Sequence, residues 1–358
     1  MSAPLPPGSV IGILGGGQLG RMLAQAGAQL GFDVQIFDPE PDCPAARVAA
    51  RSWAAPWDDQ GAIQAFAGKC DVITFEWENV PASALEAAES RAPVRPGRKS
   101  LELTQDRLVE KNFIREAGCR TVDFAEVSSL ADLETAVQSI GRPSILKTRR
   151  FGYDGKGQAV IRETTDFAEA WASIGEKPAI LEGYADFDRE LSIVAARSLD
   201  GTIAAFPLAE NQHADGILRL SKGPAESSAS TKSSALRIAE AIGNGLDHVG
   251  VFAVELFDLG GDLIVNEIAP RVHNSGHWTM DACACDQFEQ HMRAAAGWSL
   301  GLTDPHSACE MTNLIGDDAA RWGELAADPA ARLHLYGKRN MRPGRKMGHI
   351  NRLLPLTD

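Results

Sequence analysis

The sequence predicts an α/β chain that opens with a parallel βαβ sheet, continues as a strand-rich α+β region and closes with a short segment of strands. Three observations carry this. In the first hundred residues an apolar run, a glycine turn and a helical pattern follow one another in strand–helix–strand order. From about residue 143 the apolar residues alternate instead, and Gly-Gly and Gly-Asp steps separate the runs. With 358 residues the chain is too long for one ordinary core, so two or three domains are expected.

The elements follow in order. Residues 10–14 form a short apolar run suited to a buried strand, Gly15-Gly16-Gly17 turns the chain, and residues 18–30 have helical spacing. Residues 34–37 and 71–75 read as further strands, which makes a parallel sheet with helices on both faces to about residue 96. Residues 101–117 read as one helix stopped by Gly118, and residues 129–140 as another, with Ser128 or Ser129 as its N-cap. Residues 143–147 are a strand before the loop at 149–157. Residues 166–173 are helical, 179–220 alternate as strands, and 231–246 are helical. Two strands, 252–259 and 263–268, are joined by Gly260-Gly261-Asp262, a hairpin signal. The tail, 287–358, has one helix, short strands and a basic tract at 338–346.

Composition excludes several classes. A net charge of −13 repels phosphate backbones, so a nucleic-acid partner is not expected, although a local cationic cluster still permits an anionic small substrate. Cys43, Cys70, Cys119, Cys283, Cys285 and Cys309 show no C-x-x-C spacing and read as reduced thiols of a cytoplasmic protein. There is no basic-then-apolar leader and no run of about 18 apolar residues, so neither export nor a membrane span is expected.

Four motifs carry chemistry. Gly15, Gly17 and Gly20 give G-x-G-x-x-G between strand and helix, with Asp38 ending the second strand. A dinucleotide, another anionic ligand and plain tight packing all fit this turn. Lys147 precedes a cationic glycine-rich loop, Arg149 to Gln158, able to close over a polyphosphate; an ordinary hairpin with a solvated basic face is the bland reading. Glu255 and Glu267 fall on the two strands of the expected hairpin, where two acids among apolar residues call for a cation. Magnesium is the natural one and a buried arginine pair the alternative. Arg271, His273 and Asn274 lie in a loop between Pro270 and Gly276 that can present them to an anion. Two histidines four apart, His273 and His277, would suit zinc only on a helix.

These pieces together resemble the ATP-grasp superfamily. Within it, the runs at 15–22, 75–80, 151–158, 266–277 and 342–349 resemble the 5-(carboxyamino)imidazole ribonucleotide synthases, over residues 10–353. The resemblance implies a pre-ATP-grasp domain at 1–100, an ATP-grasp domain at 101–295 with a lid subdomain near 120–185, and a C-terminal domain at 296–358 completing the acceptor site. It implies a homodimer and a ligase that uses ATP, Mg²⁺, bicarbonate and 5-aminoimidazole ribonucleotide, with no nicotinamide or flavin. ATP would meet Arg107, Lys147, Gly152, Tyr153, Asp154, Gly155, Lys156, Gly157, Gln158, Glu182, Gly183, Tyr184, Ala185, Glu190, His213, Asn266 and Glu267. Of these, 182–185 would be the adenine hinge. Glu255 and Glu267 would hold the metal. Arg271, His273, Asn274 and Lys338 would be catalytic. Gln18, Leu19, Glu76, Tyr153, Lys338 and Arg345 would receive the acceptor, the last two at its phosphate. A formate-using ATP-grasp ligase would share Lys147 and the glutamates but not the 271–277 loop or the 342–348 tail. A dehydrogenase would use only the first glycine loop. A binding module without turnover would not need the full set of acids and cations.

Overall fold

The computed structural model describes residues 3–152 and 156–356. Strand β1 (Val10–Leu14) lies between β2 (Asp33–Phe37) and a later strand, and its Ile11, Ile13 and Leu14 are fully buried. The helix α1 (Gln18–Gln29) starts directly after the glycine turn. The turn requires glycine: Gly15 has φ +103°, and a Cβ there would stand 2.7 Å from Cγ of Glu76. Strand β3 (Arg51–Trp53), helix α2 (Gln60–Ala67), strand β4 (Val72–Phe75) and helix α3 (Ala82–Glu89) complete the first unit. Its strands run parallel in the order β3-β2-β1-β4.

The expected single helix at 101–117 is two. Helix α4 (Arg98–Thr104) ends, and α5 (Arg107–Glu116) begins after Asp106, whose carboxylate accepts from Leu108 N at 3.0 Å. The N-cap interrupts an otherwise continuous apolar pattern, so periodicity alone runs the two helices together.

A second, antiparallel sheet follows, built from β5 (Phe124–Val127), β6 (Ser144–Thr148), β7 (Gln158–Ile161) and β8 (Ala179–Gly183) in the order β5-β8-β6-β7. Helices α6 (Leu130–Ile140) and α7 (Phe167–Ser173) cover one face, with Leu133, Val137 and Trp171 packed on Leu146 and Leu181. Ser129 and Asp166 cap these helices by accepting from Asp132 N and Glu169 N.

The largest sheet is antiparallel and has nine strands among the described residues. It comprises β9 (Arg189–Arg197), β10 (Ile203–Ala205), β11 (Ala209–Ala214), β12 (Ile217–Gly223), β13 (Gly250–Leu259), β14 (Asp262–Ala269), β15 (Ala308–Ile315), β16 (Ala331–Leu335) and β17 (Lys346–Leu354). Helices α8 (Ala229–Gly245), α9 (Thr279–Ala282), α10 (Gln287–Ala296) and α11 (Trp322–Ala326) flank it. The order β14-β13-β9-β11-β12-β15-β17-β16 means that the tail beyond residue 296 extends this sheet through the β12–β15 pairing.

The first unit joins the large sheet through a common core in which Met22, Phe32, Trp278, Phe288 and Met292 are buried together. Two buried histidines stitch the same junction. His291 Nε2 lies 2.6 Å from the Thr74 hydroxyl of β4, while its Nδ1 accepts from Val251 N. His248 Nδ1 meets the Ser100 hydroxyl at 3.0 Å, and its Nε2 meets the Val251 carbonyl. His291 accepts at Nδ1, so its ring is neutral, while His248 donates from Nε2 to a carbonyl. Burial lowers His248 to about 3 and His291 to about 4. Their contribution to stability is complete above the ordinary histidine value of 6.5 and declines as pH falls below it, because the unfolded chain then binds the protons. Urea titrations between pH 7 and pH 5 should lose about 1.4 kcal/mol per pH unit per histidine below 6.5. The glutamine variants of both residues should flatten that slope; an unchanged slope would remove the histidines from the account.

Candidate active site

The hairpin of β13 and β14 pairs Glu255 directly with Glu267, so both carboxylates emerge on one face. Glu267 lines a cleft with Arg107, Arg271 and His273, and Glu255 lies behind it against His273; their side chains are 37 % and 17 % exposed. Burial, and then the charge of Glu267, pushes Glu255 up to about 7. Burial also opposes ionisation of Glu267, but the adjacent Arg107 guanidinium holds it at about 2. Beside them Asn266 Oδ1 is buried without a hydrogen-bond partner. Two facing carboxylates and an orphaned amide oxygen are hard oxygen donors of the kind that suits magnesium. Among the described residues no three His, Cys, Asp or Glu side chains form an all-protein metal cage. A cation here would therefore complete its shell with ligand oxygens, as a phosphate-bound Mg²⁺ does.

Helix α5 grips β14 at three successive residues. Arg107 Nη1 donates to Glu267 Oε2 at 2.8 Å, Glu110 accepts from Ile268 N at 2.7 Å, and Lys111 Nζ donates to the Asn266 carbonyl at 2.6 Å. Lys111 also lies 3.6 Å from Glu182 Oε1, whose other oxygen accepts from Lys147 Nζ at 2.7 Å. Lys147, on β6, is thus held by an acid on β8, near enough to Glu267 to favour its ionised form. Glu182 opens the segment expected as the adenine hinge; its side chain is buried between two lysines, which hold it at about 2 against the penalty of burial. Its neighbours' amides are also engaged, Gly183 N by the Asp123 carbonyl and Tyr184 N by the Pro143 carbonyl. Sequence offered no signal for Glu110 and Lys111, which look like ordinary surface charges of an amphipathic helix yet are 2 % and 1 % exposed.

The 271–277 loop forms a 3-10 turn, not a helix that would pair His273 with His277 on a metal. Arg271 is ion-paired with Glu78, and His273 Nε2 lies 3.3 Å from Glu255 Oε1. Burial, then Arg271, lowers His273 to about 3, so it is neutral. Asn274 was expected to meet an anion directly. Its amide instead makes a reciprocal pair with Asn313 at 2.8 and 2.9 Å, which leaves it shaping the loop. Glu78 falls in the 75–80 run, where nothing in the sequence marks it as the partner of Arg271.

The glycine loop satisfies itself. Gly16 N donates to Asp38, and Gly17 N and Gly20 N donate to Glu76 at 2.9 and 3.1 Å. Its amides thus hold internal carboxylates, and burial raises the Glu76 pKa despite those bonds. Gln18 is half-buried at the helix start, and Leu19 is packed in the core. The basic tract folds against this end of α1. Lys338 Nζ donates to the Lys346 carbonyl, Arg345 Nη1 to the Asn340 carbonyl, and Arg47 Nη1 to the Gly337 carbonyl at 2.6 Å. Arg21 stands nearby, its pKa lowered by burial and by Arg47. Arg21, Arg47 and Lys346 were not singled out in sequence; Lys346 lies close enough to lower both Glu255 and His273 electrostatically.

Of the remaining expectations, Glu190 and His213 meet at 2.5 Å on adjacent strands, an arrangement that raises His213 even though burial opposes it. Gly152 lies over Arg107, whose Nη2 donates to its carbonyl. Lys156 and Gln158 are exposed beside it, Gly157 takes φ +71°, and Ala185 follows β8. Arg149 and Arg150 are committed to Asp106. Tyr153, Asp154 and Gly155 lie outside the described residues.

A parallel βαβ unit, a small antiparallel sheet carrying Lys147 and a large sheet carrying paired glutamates define an ATP-grasp enzyme. Family models match in that order: a ribonucleotide synthetase preATP-grasp domain at residues 9–105, an ATP-grasp domain at 112–288 and a phosphoribosylaminoimidazole carboxylase C-terminal domain at 309–355. The N5-carboxyaminoimidazole ribonucleotide synthase of Brucella melitensis is 50 % identical over 356 residues, covering 99 % of this chain and 98 % of that one. A solved ADP complex of an N5-carboxyaminoimidazole ribonucleotide synthetase superposes with TM-score 0.95 at 39 % identity, covering 99 % and 94 % of the two chains. An Aspergillus clavatus synthase in complex with ADP and 5-aminoimidazole ribonucleotide gives 0.91 at 30 % identity, covering 98 % and 94 %. The chain belongs to the N5-carboxyaminoimidazole ribonucleotide synthase family, ATP-dependent carbon–nitrogen ligases.

The Glu182 pairing has a direct consequence. Glu182→Gln would leave Lys111 and Lys147 facing each other without their counter-charge. Breaking a buried pair this way typically costs about 3–5 kcal/mol, to be read in urea unfolding. Adding Lys111→Met should recover part of the loss; a double variant no more stable than Glu182→Gln would show that Lys111 is not the strained partner.

Proposed function

We propose that this chain uses ATP to activate bicarbonate as carboxyphosphate and carboxylates the exocyclic amine of 5-aminoimidazole ribonucleotide, releasing ADP and phosphate. The observation that carries the reading is the convergence of Glu267, Arg107, Arg271 and His273 on one cleft, with Glu255 against His273 and Glu267. Phosphoryl transfer needs positioning and charge neutralisation more than a protein nucleophile. Lys147 and Arg107, each aimed by a carboxylate, meet the transferring phosphate. Glu255 and Glu267 would hold Mg²⁺, which supplies neutralisation of charge on the phosphate oxygens. Arg271 and His273 orient bicarbonate for attack, and the lid residues around Gly152 exclude water that would hydrolyse the acyl phosphate. On the other side of the cleft Glu76 and Gln18 receive the acceptor, and Lys338 and Arg345 its phosphate.

ADP release should require ATP and bicarbonate for activation, and one carboxylated acceptor should form per coupled ADP. Product-free ADP release at every acceptor concentration would sink the assignment. Glu267→Gln should lose turnover by about a hundredfold or more and require higher magnesium, because an ion that bridges phosphates loses a ligand. Full activity of that variant at low magnesium would place the metal elsewhere. Arg345→Ala should raise the KM for the acceptor roughly ten- to a hundredfold, the worth of one charge-assisted contact, with the KM for ATP nearly unchanged. A variant that instead lost ATP affinity would give the basic tract to the nucleotide.

A further inference from the structure

Behind His273 runs a buried chain of uncharged hydrogen bonds that the activation of bicarbonate, as described, does not use. Ser221 Oγ donates to Asn211 Oδ1 at 2.7 Å, Asn211 Nδ2 donates to Ser192 Oγ at 2.9 Å, and Ser192 Oγ donates to Ser275 Oγ at 2.8 Å. Ser275 Oγ then lies 2.9 Å from His273 Nδ1. The residues come from β12, β11 and β9 and from the turn after β14, and each is buried. Asn211 sits opposite Ser221 in the β11–β12 register and diagonal to Ser192 across β9, so the three share one face of the sheet.

The direction of the chain is fixed at its end. Ser275 N–H also points at His273 Nδ1, at 3.3 Å, and a backbone amide can only donate. Nδ1 is therefore an acceptor. The Ser275 hydroxyl, already accepting from Ser192, has its proton free for the same nitrogen. With Nδ1 occupied by two donors, the ring proton sits on Nε2, which faces Glu255 at 3.3 Å. A protonated ring would set an N–H against both donors.

We infer that Ser275, Ser192 and Asn211 are positioning residues that lock His273 as the Nε2–H tautomer, so that it meets the reacting anion beside Arg271 as a hydrogen-bond donor and not as a base. This rests on the proposed use of the cleft for an acyl phosphate. The amine proton then has a different destination. As the nitrogen–carbon bond forms and the carbon–oxygen bond to phosphate breaks, the proton leaves with the departing phosphate.

Two measurements test it. In protein with ¹⁵N-labelled histidine rings, the His273 signals, assigned by their loss in His273→Gln, should show Nδ1 as acceptor and Nε2 as protonated. A protonated Nδ1 would overturn the inference, whatever the activity. In kinetics, glutamine keeps an N–H near the Nε2 position. His273→Gln should therefore retain much of kcat, whereas His273→Ala should lose about 10²–10³-fold, as for removal of one oxyanion donor. Equal loss in both would rule out the donor role. Ser275→Ala should mix the tautomer signals and lower kcat roughly ten- to a hundredfold at unchanged KM for ATP, with Ser275→Thr restoring both. Unmoved ring signals in Ser275→Ala would show that the chain does not position the ring. Absence of carboxylation by the wild type would instead count against the proposed reaction and leave the tautomer result standing.

Discussion

Two glutamates facing each other across one antiparallel register are the constraint around which the rest is arranged. Glu255 and Glu267 cannot both carry full charge in a cleft without a cation, because like charges this close disfavour each other's ionisation. The protein answers with Arg107 on one of them and leaves the other raised toward neutrality beside a neutral His273. A divalent cation would relieve the repulsion that the fold builds in. The pair is thus a destabilising feature of the bare chain, one that a bound cation would offset.

The geometry of that pair depends on α5. Its residues 107, 110 and 111 hold the side chain of 267, the amide of 268 and the carbonyl of 266. An isolated hairpin strand at a sheet edge could slide or fray; β14 is the terminal strand of the large sheet and needs this support. Lys111 extends the grip to Glu182 and so to Lys147 on the second sheet. One helix therefore sets the strand that carries Glu267 and, through a single buried acid, the direction of Lys147.

Period and turn chemistry made most of this fold legible. The β1–α1–β2 unit, the capped helices at 130–140 and 167–173, and the 250–269 hairpin follow from local patterns whose preferences agree with the final packing. The 101–117 segment failed because a cap inside an amphipathic run is invisible to periodicity. Among the residues of the cleft, those in glycine- or proline-bounded motifs, such as Gly152 and Arg271, stand out in the sequence. Glu110, Lys111, Arg21 and Arg47 do not, because their meaning lies in partners more than a helix turn away, and sequence spacing does not encode which surface closes over them. Asn274 shows the converse: its polar loop was legible, while its side-chain amide pairs with Asn313.

A common device runs through such internal pairings. Arg107 rests on Glu267, Lys147 on Glu182, Arg271 on Glu78, and the glycine-loop amides on Glu76. In a chain of net charge −13, Arg107, Lys147 and Arg271 each have an internal anion within reach. A bare guanidinium or ammonium in a half-closed cleft would swing toward solvent or the nearest carbonyl, and binding would then have to order it. The internal carboxylates hold the donors aimed in advance. Arg107 and Lys147 use only part of their donor sets on these partners, so a phosphate can share them without breaking the pair. Preorganisation here is electrostatic: the acids keep the cations in place, and the incoming anion takes the hydrogen-bond capacity left over.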